Sequence, residues 1–239
     1  MNMKYLTLLA SGLSISSLSA AVTYVDATVS NTVGAASGLV DWNDGSSGSG
    51  DGLANDDGLW RYRGGFGGNG LWEATGSAAQ IEDAVELVTT VSGLANGTYN
   101  AYVFFVAVEA DSAVTGGEEE FAIRAGDVSN PGANQIFTQI VSTETPGATV
   151  GIDASTLSFA NAFIPGTATD GRTNYAGLLS STIEVTDGTL SVFVDDLPAS
   201  NDADERTWYT GIGYEVIPEP STVVLGALGA LALLGRRRR

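Results

Sequence analysis

Thr98-Tyr99-Asn100-Ala101-Tyr102-Val103-Phe104-Phe105-Val106-Ala107-Val108 is the run on which the fold turns. Strand alternation sends Tyr102, Phe104 and Val106 to one face, and Val103, Phe105 and Ala107 to the other. Both sets are apolar and rich in aromatic and β-branched residues, the composition of a central strand covered on both sides. Shorter runs of the same kind flank it at Val22–Val29, Leu87–Val91, Glu119–Arg124, Ile136–Val141, Leu157–Phe163, Leu178–Val185, Leu190–Val194 and Thr207–Val216. Together they predict about nine strands. The punctuation between them is turn-like: Ala95-Asn96-Gly97, Asn130-Pro131-Gly132, Thr145-Pro146-Gly147 and Thr186-Asp187-Gly188. Asp187-Gly188 predicts a two-residue hairpin joining Ile183–Val185 to Leu190–Val194. Between the two ends no stretch sustains helical periodicity; Gln80–Leu87 has room for a turn or two before it runs into Val88-Thr89-Thr90-Val91. The expectation is an all-β protein, an antiparallel, jelly-roll-like β-sandwich.

Asp41 to Gly76 breaks the strand pattern. It holds 11 of the 31 glycines, six acidic residues and three of the four tryptophans. The glycine and acid density predicts a mobile Asp44–Asp57. The aromatics Trp60, Tyr62, Phe66 and Trp72 are costly to leave in water, so Gly58–Glu73 is expected to pack on the sandwich. Leu59-Trp60-Arg61-Tyr62-Arg63 alternates, which suits a short strand with Trp60 and Tyr62 inward. Two functional readings compete with simple edge-covering. Trp60, Tyr62 and Trp72 would form a stacking platform for sugar rings if they face solvent. Asp41, Asp44, Asp56 and Asp57 would supply oxygen ligands to Ca²⁺, although their spacing is not that of an EF-hand loop.

The two ends read as targeting segments. Lys4, the apolar Leu6–Leu18 and the small residues Ser19-Ala20-Ala21 predict a secretory signal peptide over residues 1–21, with a helical apolar stretch. At the other end Thr222–Leu234 is apolar and ends in Gly235 and Arg236-Arg237-Arg238-Arg239. At ~1.5 Å per residue this helix spans about 20 Å, short of a ~30 Å hydrocarbon core. The arginines hold it with their own end on the cytoplasmic side. Its Gly and Ala positions suit close approach of a partner helix. The body between, residues 22–216, is expected to be a single domain.

Immediately before the apolar stretch stands Ile217-Pro218-Glu219-Pro220. Pro-Glu-Pro, an apolar span and an arginine cluster in that order resemble the PEP-CTERM sorting signal of Gram-negative bacteria, over residues 217–239. The resemblance implies that Pro218, Glu219, Pro220 and Arg236, Arg237, Arg238 and Arg239 form the sorting motif. It also implies an exosortase-type membrane enzyme as partner, and an address in the cell envelope, the extracellular matrix or a biofilm. Within the body, Thr89-Thr90-Val91-Ser92-Gly93-Leu94 followed by Asn96-Gly97-Thr98-Tyr99 is loosely similar to the turn of carbohydrate-binding and lectin-like β-sandwiches.

Charge and composition narrow the chemistry. Without Cys or His there is no disulfide, thiol nucleophile, Ser-His-Asp triad or His-ligated metal. Residues 22–216 keep five basic residues (Arg61, Arg63, Arg124, Arg172, Arg206) against 27 acidic ones, a net charge of −22 with no lysine. Such a surface repels nucleic acid and anionic lipid and attracts divalent cations. Carboxylate pairs such as Glu82-Asp83 with Glu86, or Asp195-Asp196, are raw material for glycoside hydrolysis, but among so many acids a pair is expected by chance. The reading is an exported, non-catalytic, structural or carbohydrate-binding protein of a polysaccharide-rich matrix, without cofactor unless Ca²⁺. The alternatives are a carboxylate-based polysaccharide hydrolase and a Ca²⁺-condensed surface protein.

Overall fold

A computed structural model of the chain describes residues 21–34, 40–41, 60–66, 69–75, 86–107, 122–127, 135–139, 147–161, 173–196 and 206–218. The expected signal and tail helices lie outside the described residues. Among the described residues no helix is long and apolar enough to cross a membrane.

Fifteen strands are found among the described residues. In chain order they are β1 (Thr23–Asp26), β2 (Thr32–Gly34), β3 (Val40–Asp41), β4 (Trp60–Phe66), β5 (Asn69–Thr75), β6 (Leu87–Ser92), β7 (Gly97–Ala107) and β8 (Ala122–Asp127). There follow β9 (Gln135–Thr138), β10 (Thr149–Val150), β11 (Ile152–Asp153), β12 (Thr173–Leu178), β13 (Ile183–Val185), β14 (Thr189–Asp196) and β15 (Arg206–Val216). They form two sheets. The larger runs β11-β12-β7-β15-β5-β4-β3, with β1 also paired to β15 and β13 to β7; the smaller runs β10-β9-β8-β14-β6-β2. All pairings are antiparallel except β3 with β4 and β10 with β9. The protein is an all-β sandwich.

The run quoted first is β7, and it lies between β12 and β15 inside the larger sheet. Its inward residues Ala101, Val103 and Phe105 pack with Leu87, Ile123 and Leu190 in the core between the sheets. Its outward residues are buried too. Tyr102 and Phe104 form a second cluster with Val22, Tyr24, Ala154 and Ala176, with Leu157 and Phe159 packed against it. Val106 joins Leu71 and Trp208 in a third. Tyr24 meets Phe104 edge-on, with ring centroids 5.0 Å apart, the arrangement that aromatic quadrupoles favour.

Several expected strands are redrawn. Val22–Val29 shortens to β1 because Thr28–Asn31 makes a turn: the Asn31 carboxamide oxygen accepts from the Thr28 amide at 2.8 Å. Leu157–Asn161, the described part of the expected strand Leu157–Phe163, is not a strand. Its chain makes a single parallel bridge, Phe159 to Val22, and Asn161 brackets Tyr24, accepting from its amide and donating to its carbonyl at 2.8 Å. Leu178–Val185 divides into the end of β12 and β13. The segment read as irregular contributes the β4–β5 hairpin to the larger sheet.

The Asp187-Gly188 hairpin is also corrected. Chain reversal occurs there, with Gly188 at φ +77° and the Asp187 carboxylate accepting from the Thr189 amide at 2.9 Å. Yet β13 pairs with β7 in the larger sheet, while β14 pairs with β6 and β8 in the smaller. The turn is an arch between sheets. Val185 and Leu190, on either side of it, both point into the common core. Residues 93–96 make a second arch, from β6 to β7, and the Leu94 amide donates to the Gly188 carbonyl at 3.0 Å, tying the two arches together.

Candidate functional site

The site with the clearest construction is where the sandwich hands over to the tail. β15 is among the best-secured strands: it pairs with β7 along one side and with β5 and then β1 along the other. At its end Val216 lies opposite Tyr99, and one further bond follows, from the Ile217 amide to the Thr98 carbonyl at 2.9 Å. Pro218 is the next residue and is exposed. Proline has no N–H, so Pro218 cannot donate to the ladder, and the β7–β15 ladder makes its last bond at Ile217. Glu219, Pro220, Arg236, Arg237, Arg238 and Arg239 lie outside the described residues.

The last residues of β15 before the handover are held from the outer face. Glu215 accepts from the Asn100 carboxamide at 2.7 Å and from the Tyr102 hydroxyl at 3.1 Å. The Tyr102 phenol is pushed up to about 12, first by burial and then by the neighbouring Glu215 carboxylate, both of which disfavour phenolate. It therefore stays a donor throughout the physiological range.

The tryptophans weighed as a sugar platform face inward, as the alternation at Trp60 predicts. Trp60 on β4 and Trp72 on β5 are both 0 % exposed and belong to the core between the sheets. The Trp72 indole N–H donates to the Ala27 carbonyl at 3.0 Å. Tyr62 is half-buried against Trp72, ring centroids 5.0 Å apart, and its phenol is pushed up by burial and then by Asp26. A sugar stacks on an open ring face, and neither indole has one here. Of the calcium candidates, Asp41 lies on β3 with its side chain outside the described residues, and Asp44, Asp56 and Asp57 lie outside them altogether. Among the described residues no three acidic side chains gather as a metal site. Asp195 is held by the Arg124 guanidinium at 2.9 Å, across the β8–β14 pair.

A feature with no signal in the sequence is a polar cleft of about 500 Å³ beside β8 and β9. It is lined by Gly126, Asp127, Gln135, Thr149, Ser180 and Ser181 among others, and no aromatic ring lines it among the described residues. Gln135 bridges the two sheets there, accepting from the Ser180 amide at 2.6 Å and donating to the Leu178 carbonyl at 3.2 Å. Its lining residues come from four separate stretches of chain, so only the folded chain assembles it.

A family model described as the PEP-CTERM protein-sorting motif matches residues 216–239. The match begins at Val216, the last residue of β15, so motif and sandwich share a single strand end. It covers the tail and leaves the rest of the body unmatched. No curated protein matches the chain. A tail of this kind marks an exported protein that is handled at the membrane by an exosortase-type enzyme.

Proposed function

From that match we propose that the chain is the cargo of a sorting route. Residues 1–21 direct export, residues 217–239 present the body to the exosortase-type enzyme, and removal of the tail delivers an acidic β-sandwich of residues 22–216 to the cell envelope or extracellular matrix. There its role is non-catalytic. The observation that carries this reading is the handover itself: the ladder closes at Ile217, and Pro218, the first residue of the Pro-Glu-Pro triplet, is exposed. An enzyme that reads the Pro-Glu-Pro triplet finds its first proline exposed and outside the ladder.

Of the two roles weighed for the body, structural and carbohydrate-binding, burial of Trp60 and Trp72 favours the structural one. Polysaccharide is retained as a partner only through hydrogen-bonding surfaces such as the cleft at Gln135. The decisive experiment replaces Pro218-Glu219-Pro220 with alanines in the producing cell. Export is expected to continue and the tail to stay attached, read as an increased mass of the exported protein. An unchanged mature mass and location would refute the sorting role.

A further inference from the structure

Both membrane-directed segments leave the sandwich at the same end. In the β1–β15 ladder Thr23 lies opposite Tyr214, so the register carries Ala21 alongside Val216. The arches lie at this end as well: Val216 and Ile183 both pair with Tyr99, and Val185 pairs with Gly97 at the mouth of the 93–96 arch. We infer that, until the tail is cut, the body stands end-on against the membrane, with the arches at 93–96 and 186–188 turned toward the lipid headgroups.

The inference rests on the sorting-tail reading and adds an orientation to it. Its physical basis is tether length. The chain from Ile217, the last residue bonded into the sheet, to Thr222, the first of the apolar stretch, spans at most about 18 Å when fully extended. With the apolar stretch in the hydrocarbon, roughly 6 Å of that crosses the headgroup layer. The last bonded residue is then held within about 12 Å of the headgroup surface, while β15 itself rises about 33 Å. A second tether at Ala21, before signal removal, would restrict tilting.

Adhesion does not supply this contact. The described ionisable acids and bases at this end, Glu184, Asp187 and Glu215, are all acidic, which disfavours anionic headgroups. The pose is imposed by the tether and ends when the tether is cut.

The chain has no cysteine, so single cysteines can report position. Asn96→Cys and Asp187→Cys lie on the two exposed arches; Glu86→Cys lies six residues back along β6 from Ser92, roughly 20 Å farther up the sandwich. Each variant, taken as residues 22–239 so that the tail is its one tether, would carry a fluorophore and be reconstituted in phosphatidylcholine vesicles bearing a headgroup nitroxide quencher. The fluorophores at 96 and 187 are expected to lose most of their emission while that at 86 keeps most of its own. A Gly-Ser spacer of about ten residues between Ile217 and Pro218 should abolish the difference. Equal quenching at all three positions in a chain that floats with the vesicles overturns the pose alone. A chain that does not float overturns the sorting-tail reading, and the pose with it.

Discussion

Gly211 and Gly213 lie on the outer face of β15, where the second aromatic cluster presses against the sheet. A Cβ at Gly211 would drive into the Val25 carbonyl oxygen and come within 2.7 Å of the Tyr24 hydroxyl, which donates to the Thr210 carbonyl at 2.9 Å. A Cβ at Gly213 would meet the Phe104 ring at 2.7 Å and a Val22 methyl at 2.8 Å. The first obstruction is backbone and cannot yield without unseating β1; the second is side chain and can shift. Gly211→Ala is therefore expected to destabilise the body by roughly 2–3 kcal/mol, and Gly213→Ala by less, as overpacking typically does. Urea titration of both variants checks the ranking, and a reversed order would reject this packing. The sequence shows the two glycines but not the reason for them, because the ring that excludes a side chain comes from more than 100 residues away.

Thr207–Val216 was legible as a strand, but its faces were not. The ladder places Tyr209 opposite Phe105 and Gly211 opposite Phe104, leaving Thr210 as an extra residue. This bulge turns both Tyr209 and Ile212 into the core, where strict alternation would have separated them. Its consequence is a polar chain through the apolar core. The Tyr209 hydroxyl donates to Thr89 Oγ1 at 2.6 Å, Thr89 bonds Thr32 at 2.8 Å, and Thr32 donates to the Asn31 carboxamide oxygen at 3.0 Å. Thr89→Val would strand the buried Tyr209 hydroxyl and is expected to cost roughly 1–3 kcal/mol. Adding Tyr209→Phe should recover part of that loss, since the orphaned group is then gone. Strictly additive losses in the double variant would show that the two side chains are not coupled. The arches teach a related lesson. Asp187-Gly188 specifies a reversal of the chain, while the sheet each strand joins is chosen by its partners, Gly97 for Val185 and Val91 for Leu190.

For the whole molecule, the buried phenols set the response to alkaline pH. The chain has no histidine, and Tyr24, Tyr102 and Tyr209 are all shifted upward, chiefly by burial. Above pH 10 the unfolded chain releases phenolic protons that the folded chain retains, so stability falls as pH rises. For Tyr102 the loss runs from about pH 10 to about pH 12. Urea midpoints should hold steady between pH 7 and about pH 9 and decline above about pH 10, less steeply in Tyr102→Phe; a flat alkaline limb would contradict the burial of these rings. The sequence by itself determined the all-β class, the doubly covered central strand and the sorting motif. Each is written in neighbouring residues: a period of two, a Pro-Glu-Pro triplet, an apolar run, an arginine cluster. Tertiary structure alone decided that Trp60 and Trp72 lie between the sheets rather than over their edge, that an apparent hairpin is an arch, and that Ala21 and Ile217 lie at one end of the sandwich. Those outcomes depend on which distant strands pair and in what register, and local spacing carries no record of that choice.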